Sequence, residues 1–377
     1  MNRLELERLS VRGMRVLSRV DIAPASRLNV IWGNNGHGKT SLLEAIYFVA
    51  TSKSFRTPRI AELVRHGETA MNVRARFIER SPTLEPLARE QSAGTAGRGA
   101  GVVVRIAGDK PKALIEYATR SPVVVFHPDE LSLSSGPALG RRTMLDRLAL
   151  FVDARSAETR GRYTHALKAR HELLKRGVLD GSELLAFELL CAEHGAALTR
   201  IRARATELFV EELHAAFAQI AAPDLQLVAR YQPGGAADVD EARAELERRR
   251  RQDGFRPSAG FGPHRDDLEL RFGEHLVRIV ASQGQHRALT LALKAAETAT
   301  IAKERGVEPL LLLDDVSSEL DPERTGALFS FLGLHRGQIF LTTTRPELIR
   351  APENWSGERA DFHLVGGELV EAGQALS

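Results

Sequence analysis

The chain has 377 residues and one cysteine, and its 52 lysines and arginines stand against 49 acids for a formal net charge of +3. Its 43% hydrophobic and 27% charged residues are ordinary for a folded soluble protein and exclude a disordered or collagen-like chain. The lone Cys191 excludes a disulfide framework or a cysteine-based metal site and fits a reducing cytoplasm, and no apolar run approaches the ~18 residues of a membrane span. The first ten residues alternate charged and apolar side chains and lack a signal-peptide core. Only eight of the basic residues are lysine, so 44 are arginine. That excess reads either as compositional bias, since alanine is also abundant, or as use of the planar guanidinium on phosphates.

In chain order, residues 3–31 read as strands: Leu4, Leu6 and Leu9 begin an alternating pattern, and Leu28, Val30 and Ile31 form a short apolar strand. A glycine-rich turn follows, then a helical pattern through Leu42, Leu43, Ile46 and Tyr47. Residues 71–126 read as further strands (Val73, Ala75, Phe77; Val102–Ile106; Val123–Phe126), with Ser92–Gly101 a flexible loop by composition. From about Arg141 to Ile220 the pattern is helical. Ser182–Ile220 reads as one helix of ~58 Å, at 1.5 Å per residue, or as two broken near Gly195. Residues 238–251 suggest a short helix with acids at its start and Arg248–Arg251 at its end, which suits the helix dipole. Strands are expected again at Asp267–Phe272 and Leu276–Val280, a helix from about Gln283, and a strand at Leu310–Leu313.

The chemistry is carried by three segments. Gly33-Asn34-Asn35-Gly36-His37-Gly38-Lys39-Thr40 fits the phosphate-loop pattern G-x-x-x-x-G-K-S/T, and it lies after an apolar strand and before a helix, where the pattern has physical meaning. Glycines let backbone N–H groups turn toward phosphate oxygens, and the helix N-terminus adds partial positive charge. Lys39 is placed to reach the β- and γ-phosphates and the Thr40 hydroxyl to ligate Mg²⁺. Four leucines, Leu310–Leu313, deliver Asp314 and Asp315 to a strand end, Asp314 as the magnesium partner and Asp315 to orient or activate the attacking water. Ser282-Gln283-Gly284-Gln285 precedes a helical pattern and reads as a plain helix cap or a second anion site.

Spacing adds a topological statement. Lys39 and Asp314 are 275 residues apart, far more than one nucleotide-binding sheet needs, so a large segment is inserted between them and the helical stretch after Pro128 is the candidate. The expected fold is α/β: an ABC-type phosphate-loop ATPase head with a split mixed and parallel sheet and an inserted helical lobe. Its expected parts are residues 1–127 (phosphate-loop half), 128–255 (helical lobe) and 256–377 (signature and acidic-strand half).

These residues resemble the ABC-type ATPase heads of SMC-like chromosome-maintenance and repair proteins, and more narrowly the RecF family. GNNGHGKTSLLEAI (33–46), SFRTPRIAELVRHG (54–67), FHPDELSLSSGPALGRRTMLD (126–146), GFGPHRDD (260–267), SQGQHR (282–287) and LLLDDVSSELD (311–321) carry the resemblance in order along the chain. It implies ATP and Mg²⁺ as ligands, an ATP-dependent homodimer, Ser282 and Gly284 on the γ-phosphate held by the other subunit, Asp321 at the seam between subunits, and Arg56 as an arginine reaching phosphate. It also implies a weak DNA-dependent ATPase of recombinational repair, replication restart and the SOS response. Such a protein binds single- and double-stranded DNA at gaps or junctions, aids recombinase loading, has RecR and RecO as partners, and is cytoplasmic and nucleoid-associated without membrane contact. Three departures from transporter-like heads stand out: Asp315 where glutamate is usual, Thr342-Thr343-Thr344 where a histidine is usual, and His127 where glutamine is usual.

The mechanism these readings imply is a clamp that ATP closes and hydrolysis reopens. Residues 141–180 hold ten lysines and arginines and five acids, the strongest local basic excess, and read equally as a DNA face or as a solvated helical face. The rivals are a nuclease-linked repair ATPase, for which Asp266-Asp267 is the only tempting acidic pair, a long-armed structural tether, and a transporter subunit.

Overall fold

The computed structural model describes residues 1–97, 100–220, 225–256, 258–315, 332–333, 335–349 and 358–370. The N-terminal alternation becomes two long antiparallel strands, β1 (Asn2–Met14) and β2 (Leu17–Ile22). Leu4 and Leu6 are buried, yet so are Leu9 and Val11, out of phase by one residue; a bulge between Leu6 and Arg8 supplies the shift. Next come β3 (Leu28–Trp32), α1 (Lys39–Thr51), β4 (Met71–Arg80), β5 (Leu87–Thr95), β6 (Val103–Ile106), α2 (Leu114–Arg120) and β7 (Val123–Phe126). Strand β5 takes in Ser92–Thr95, where composition suggested a loop. Small residues there pair with β4 from Met71↔Thr95 to Glu79↔Leu87, and sheet pairing overrides weak strand propensity.

The middle of the chain is helical: α3 (Ser132–Ser135), α4 (Ala138–Val152), α5 (Ser156–Lys175) and α6 (Ser182–Ile220), then β8 (Leu227–Gln232), α7 (Val239–Arg248), α8 (Arg250–Phe255), β9 (Asp267–Phe272), β10 (His275–Leu276), α9 (Val277–Val280) and α10 (Gln283–Arg305). The 39-residue α6 passes unbroken through Gly195, and the space above that bare Cα is filled by Tyr163, whose ring would lie 3.2 Å from a Cβ there. Residues 277–280 form a turn of helix, although their β-branched side chains suggested a strand. The chain closes with β11 (Val307–Glu308), β12 (Leu310–Leu313), β13 (Ile339–Thr343), β14 (Arg359–Val365) and β15 (Glu368–Val370).

Contacts divide the chain into residues 1–130 with 301–377, and residues 131–300. The first unit is discontinuous in sequence and holds two sheets. One runs β11-β1-β4-β5-β6 with β2 on the far end of β1, antiparallel except for β11. The other runs β15-β14-β3-β13-β12-β7, all parallel except β15. Leu310–Leu313 and Val123–Phe126 are buried on every side, as strands of a parallel sheet covered on both faces must be. Helix α1 is buried almost all round, and its apolar residues share one core with those of both sheets.

In the second unit, Tyr163, Cys191, Ala192, Leu198, Ala242 and Leu246 form the core, and burial pushes the Cys191 thiol up to about 12. Around them lies an unusual amount of buried charge. Fully buried Arg170 binds Glu188 at 3.2 Å and Asp253 at 2.8 Å, and donates to the Leu246 carbonyl. Buried Arg202 binds Asp146 and Asp266, each at 2.8 Å. No described helix is long and apolar enough to cross a membrane.

Candidate functional site

The phosphate loop joins the central strand β3 to α1. Its glycines take backbone angles that side chains avoid: φ is +148° at Gly33, +82° at Gly36 and +102° at Gly38. Space is short as well, since a Cβ on Gly33 would sit 2.3 Å from the Leu364 carbonyl and one on Gly38 2.9 Å from Leu17. Lys39 folds back over the loop and donates through Nζ to the carbonyls of Gly33 (2.8 Å) and Asn34 (3.1 Å). Burial holds its ammonium below the usual lysine range, while Asp315 and Asp314 oppose the shift. His37 ties the loop to the β14–β15 hairpin: its ring Nδ1 lies 3.2 Å from the Leu364 carbonyl, and its own carbonyl accepts from the Gly367 N–H at 3.2 Å.

The acidic strand arrives beside it because β12 is separated from β3 by one strand, β13. Asp314 is mostly buried at the end of β12, its N–H bonded to the Phe126 carbonyl at 2.8 Å. Its Oδ1 accepts from Thr40 Oγ1 at 2.8 Å and from Thr342 Oγ1 at 2.9 Å. Burial pushes this carboxyl above its usual range, against the pull of those two hydroxyls. Asp315 follows in the left-handed region, φ +47°, with its N–H donated to Thr342 Oγ1 at 2.8 Å. Hydroxyl and carboxylate oxygens on adjacent elements form a hard-oxygen pair suited to Mg²⁺, which keeps most of its waters and binds through one or two protein oxygens.

A second cluster borders the loop. Glu44, fully buried on α1, is held bidentately by Arg15 at 2.9 and 3.0 Å and accepts from Ser54 Oγ. Arg56 Nη1 lies 3.8 Å from the same carboxylate, and its charge is also felt at Asp314.

Comparison with known proteins decides the family. The model of the RecF/RecN/SMC N-terminal domain matches residues 5–360. The DNA replication and repair protein RecF of Myxococcus xanthus is 39% identical, over 97% of both chains. That of Anaeromyxobacter sp. (strain Fw109-5) is 38% identical over 97% of this chain and 99% of its own. That of Symbiobacterium thermophilum is 34% identical over 99% and 100%. The chain belongs to the RecF family. Among solved structures, the recombination mediator protein RecF-ATP of the RecFOR pathway superposes with a TM-score of 0.82 at 27% identity, covering 98% of this chain and 97% of that one. The SMC head of Pyrococcus furiosus bound to the C-terminal domain of ScpA matches with a TM-score of 0.53 at 16% identity, covering 97% and 96%, and shares the fold.

Within this RecF-family fold, the expected residues fall into two groups. Gly33–Thr40, Asp314 and Asp315 converge in the first unit, with Arg56 one carboxylate away. Ser282 and Gly284 belong to the second unit, at the start of α10. Ser282 is exposed and forms a reciprocal cap: Ser282 N donates to Gln285 Oε1 at 2.8 Å and Gln285 N to Ser282 Oγ at 3.2 Å. Asp321 lies outside the described residues. Of the three threonines, Thr342 touches the acidic residue, whereas Thr343 Oγ1 accepts from the Arg345 N–H at 2.9 Å. His127 packs against Phe55, ring centroids 5.4 Å apart.

The rival's acidic pair and the basic stretch both find partners inside the second unit. Asp266 is no metal-binding carboxylate: it is fully buried and taken by Arg202, Tyr231 and the Gly234 N–H, while Asp267 pairs with Arg141 at 2.7 Å. Most of the arginines of residues 141–180 have partners within the fold. Arg141, Arg147, Arg155, Arg160, Arg162 and Arg170 are in ion pairs, and Arg142 donates to the Asp266 carbonyl. Sequence reasoning missed Glu44, Arg15 and Ser54 and gave Thr342 no role; a glutamate on the apolar side of α1 is the one signal that pointed to the first three.

Proposed function

We propose that this chain is an ATP-binding, Mg²⁺-dependent ATPase of recombinational repair that acts as a DNA clamp, closing as a homodimer on ATP and reopening on hydrolysis. One observation carries the reading: Thr40 Oγ1 and Asp314 Oδ1, 274 residues apart in sequence, lie 2.8 Å apart beneath a lysine folded over its own loop. Lys39 exchanges its two carbonyl partners for phosphate oxygens, and the loop N–H groups and the α1 N-terminus complete the cradle. Thr40 and Asp314 are the residues that would hold Mg²⁺, which when bound neutralises charge on the phosphates. Asp315 orients the attacking water, and Thr342 fixes both acids by accepting from one and donating to the other. Arg56, held near Glu44, supplies positive charge at the site's edge.

Exposed Ser282 and the N-terminus of α10 are available to a second subunit's γ-phosphate, so the ATP site is finished only in a dimer, and closure is a population shift driven by bound nucleotide. Weak, DNA-stimulated hydrolysis, binding at gaps or junctions, work with RecR and RecO, a part in the SOS response and a nucleoid-associated, cytoplasmic location belong to the same reading. It is supported by membership of the RecF family and by likeness to a RecF of the RecFOR pathway. The test is sedimentation with ATP, ADP and no nucleotide. Wild type dimerises with ATP only, Lys39→Ala does not dimerise, and Ser282→Arg binds ATP as a monomer. ATP-driven dimers of Lys39→Ala, or loss of ATP binding in monomeric Ser282→Arg, would sink the clamp.

A further inference from the structure

The outer face of the antiparallel sheet carries its polar residues in rows. Ser10 is in register with Arg74, Arg74 with Ser92, and Ser92 with Arg105, so one line across β1, β4, β5 and β6 reads Ser-Arg-Ser-Arg. In the next row Arg8 stands opposite Arg76. Alternation puts Leu9, Val11, Val73, Ala75, Ala93 and Val104 into the core on the other face, so the arginine face is the one left to solvent.

Small side chains between the arginines leave two troughs, of about 780 and 660 Å³, and Arg74, Ser92 and Arg105 line both of them. Nearby carboxylates are mostly occupied: Asp21 is held by Arg12 at 2.8 Å and Arg19 at 3.3 Å, and Glu7 by Arg76 at 2.8 Å; Glu90 stands in register with Arg76. Arg8, Arg74 and Arg105 have no carboxylate partner among the described residues, Arg105 donating only to the Gly108 carbonyl. Among the described residues no aromatic side chain lines either trough, which argues against both a stacking platform for unpaired bases and the anchor pocket of a protein interface. Beside Asp21, Glu90 and Glu68, the lining offers a row of guanidinium forks and hydroxyls, the donor set for phosphate oxygens.

We propose that this face binds the sugar–phosphate backbone of a nucleic-acid duplex, with Arg8, Arg74 and Arg105 on phosphates, Ser92 as a hydroxyl donor between them, and no reading of bases. The inference rests on the proposed DNA-binding function and names its surface. It is tested by fluorescence anisotropy of a short random-sequence duplex with the full chain and ATP across a salt series. Against wild type, the triple variant R8A/R74A/R105A is expected to lose about tenfold in affinity at physiological salt and to flatten the log–log salt slope by about 2 to 3, near 0.9 per lost phosphate contact. The triple lysine variant keeps the slope, which guards against a folding artefact. A wild-type slope retained in the alanine variant overturns the surface and leaves the clamp standing. A wild type that does not bind the duplex with ATP overturns both. Displacement of the duplex by polyglutamate as readily as by unlabelled duplex also overturns the proposal and assigns the face to an acidic protein segment.

Discussion

Arginine does different work in the two units. In the helical unit it is turned inward: Arg170, Arg202 and Arg141 are buried and each meets carboxylates from distant segments. On the antiparallel sheet Arg8, Arg74 and Arg105 point outward from three strands and meet none among the described residues. One region uses the guanidinium to join helices, the other leaves it for something outside the molecule. Net charge cannot separate the two, and neither can a local count, because most arginines of the richest basic stretch in the sequence are paired within the fold.

The contrast breaks most visibly at Arg170. Truncating it to alanine strips the guanidinium from buried Asp253 and leaves Glu188 only Arg250, and urea denaturation is expected to show a loss of about 3–5 kcal/mol. Arg170→Met with less than about 1 kcal/mol lost would mean the cluster is tolerated rather than required. A smaller loss is expected at the start of α10, where Ser282→Ala removes half of a reciprocal cap at a cost of about 1 kcal/mol by the same measurement.

Asp314 sharpens the comparison with an effect of opposite sign. It is a buried carboxylate answered by hydroxyls instead of a guanidinium. Its folded pKa is raised above the ordinary 3.8, so the ionised form costs stability above the raised value, and that cost fades as pH falls toward 3.8. Nucleotide-free Asp314→Asn, which keeps an acceptor for Thr40 and Thr342, is therefore expected to melt above wild type near pH 7, with the gap closing in acid. A lower melting point at neutral pH would show that the charge stabilises the fold. The smallest effects belong to the surface. Arg162→Ala, which breaks an exposed pair with Glu158, and Arg74→Ala should each change stability by less than about 0.5 kcal/mol, and a larger loss at Arg74 would make it part of the fold.

The phosphate loop and the acidic strand are legible in the sequence because each is a contiguous run whose chemistry dictates its residue types. The long interruption between them is legible from spacing alone. What escapes is whatever depends on meeting across the fold. Glu44 reads as one helix position among others until Arg15 and Ser54 close on it, and Thr342 matters only because β13 lies beside β12. Local rules misjudge three further segments for the same reason: Gly195 stays helical under Tyr163, Ser92–Thr95 is drafted into the sheet by β4, and Val277–Val280 turns helical between β10 and the cap of α10. The arginines of residues 141–180 are the sharpest case, since their acids come from as far as 150 residues away.

The tie between His37 and the β14–β15 hairpin has a consequence for how the protein comes into being. The loop is made early, but the carbonyl that meets His37 is made 327 residues later, and β3 has neither of its flanking strands until then. At ~5–20 residues per second, a growing chain therefore carries an unfinished phosphate loop for tens of seconds. Nucleotide capture then waits on the C-terminal hairpin, so a truncated polypeptide lacking it would carry every phosphate-binding residue of the loop without the scaffold that shapes it.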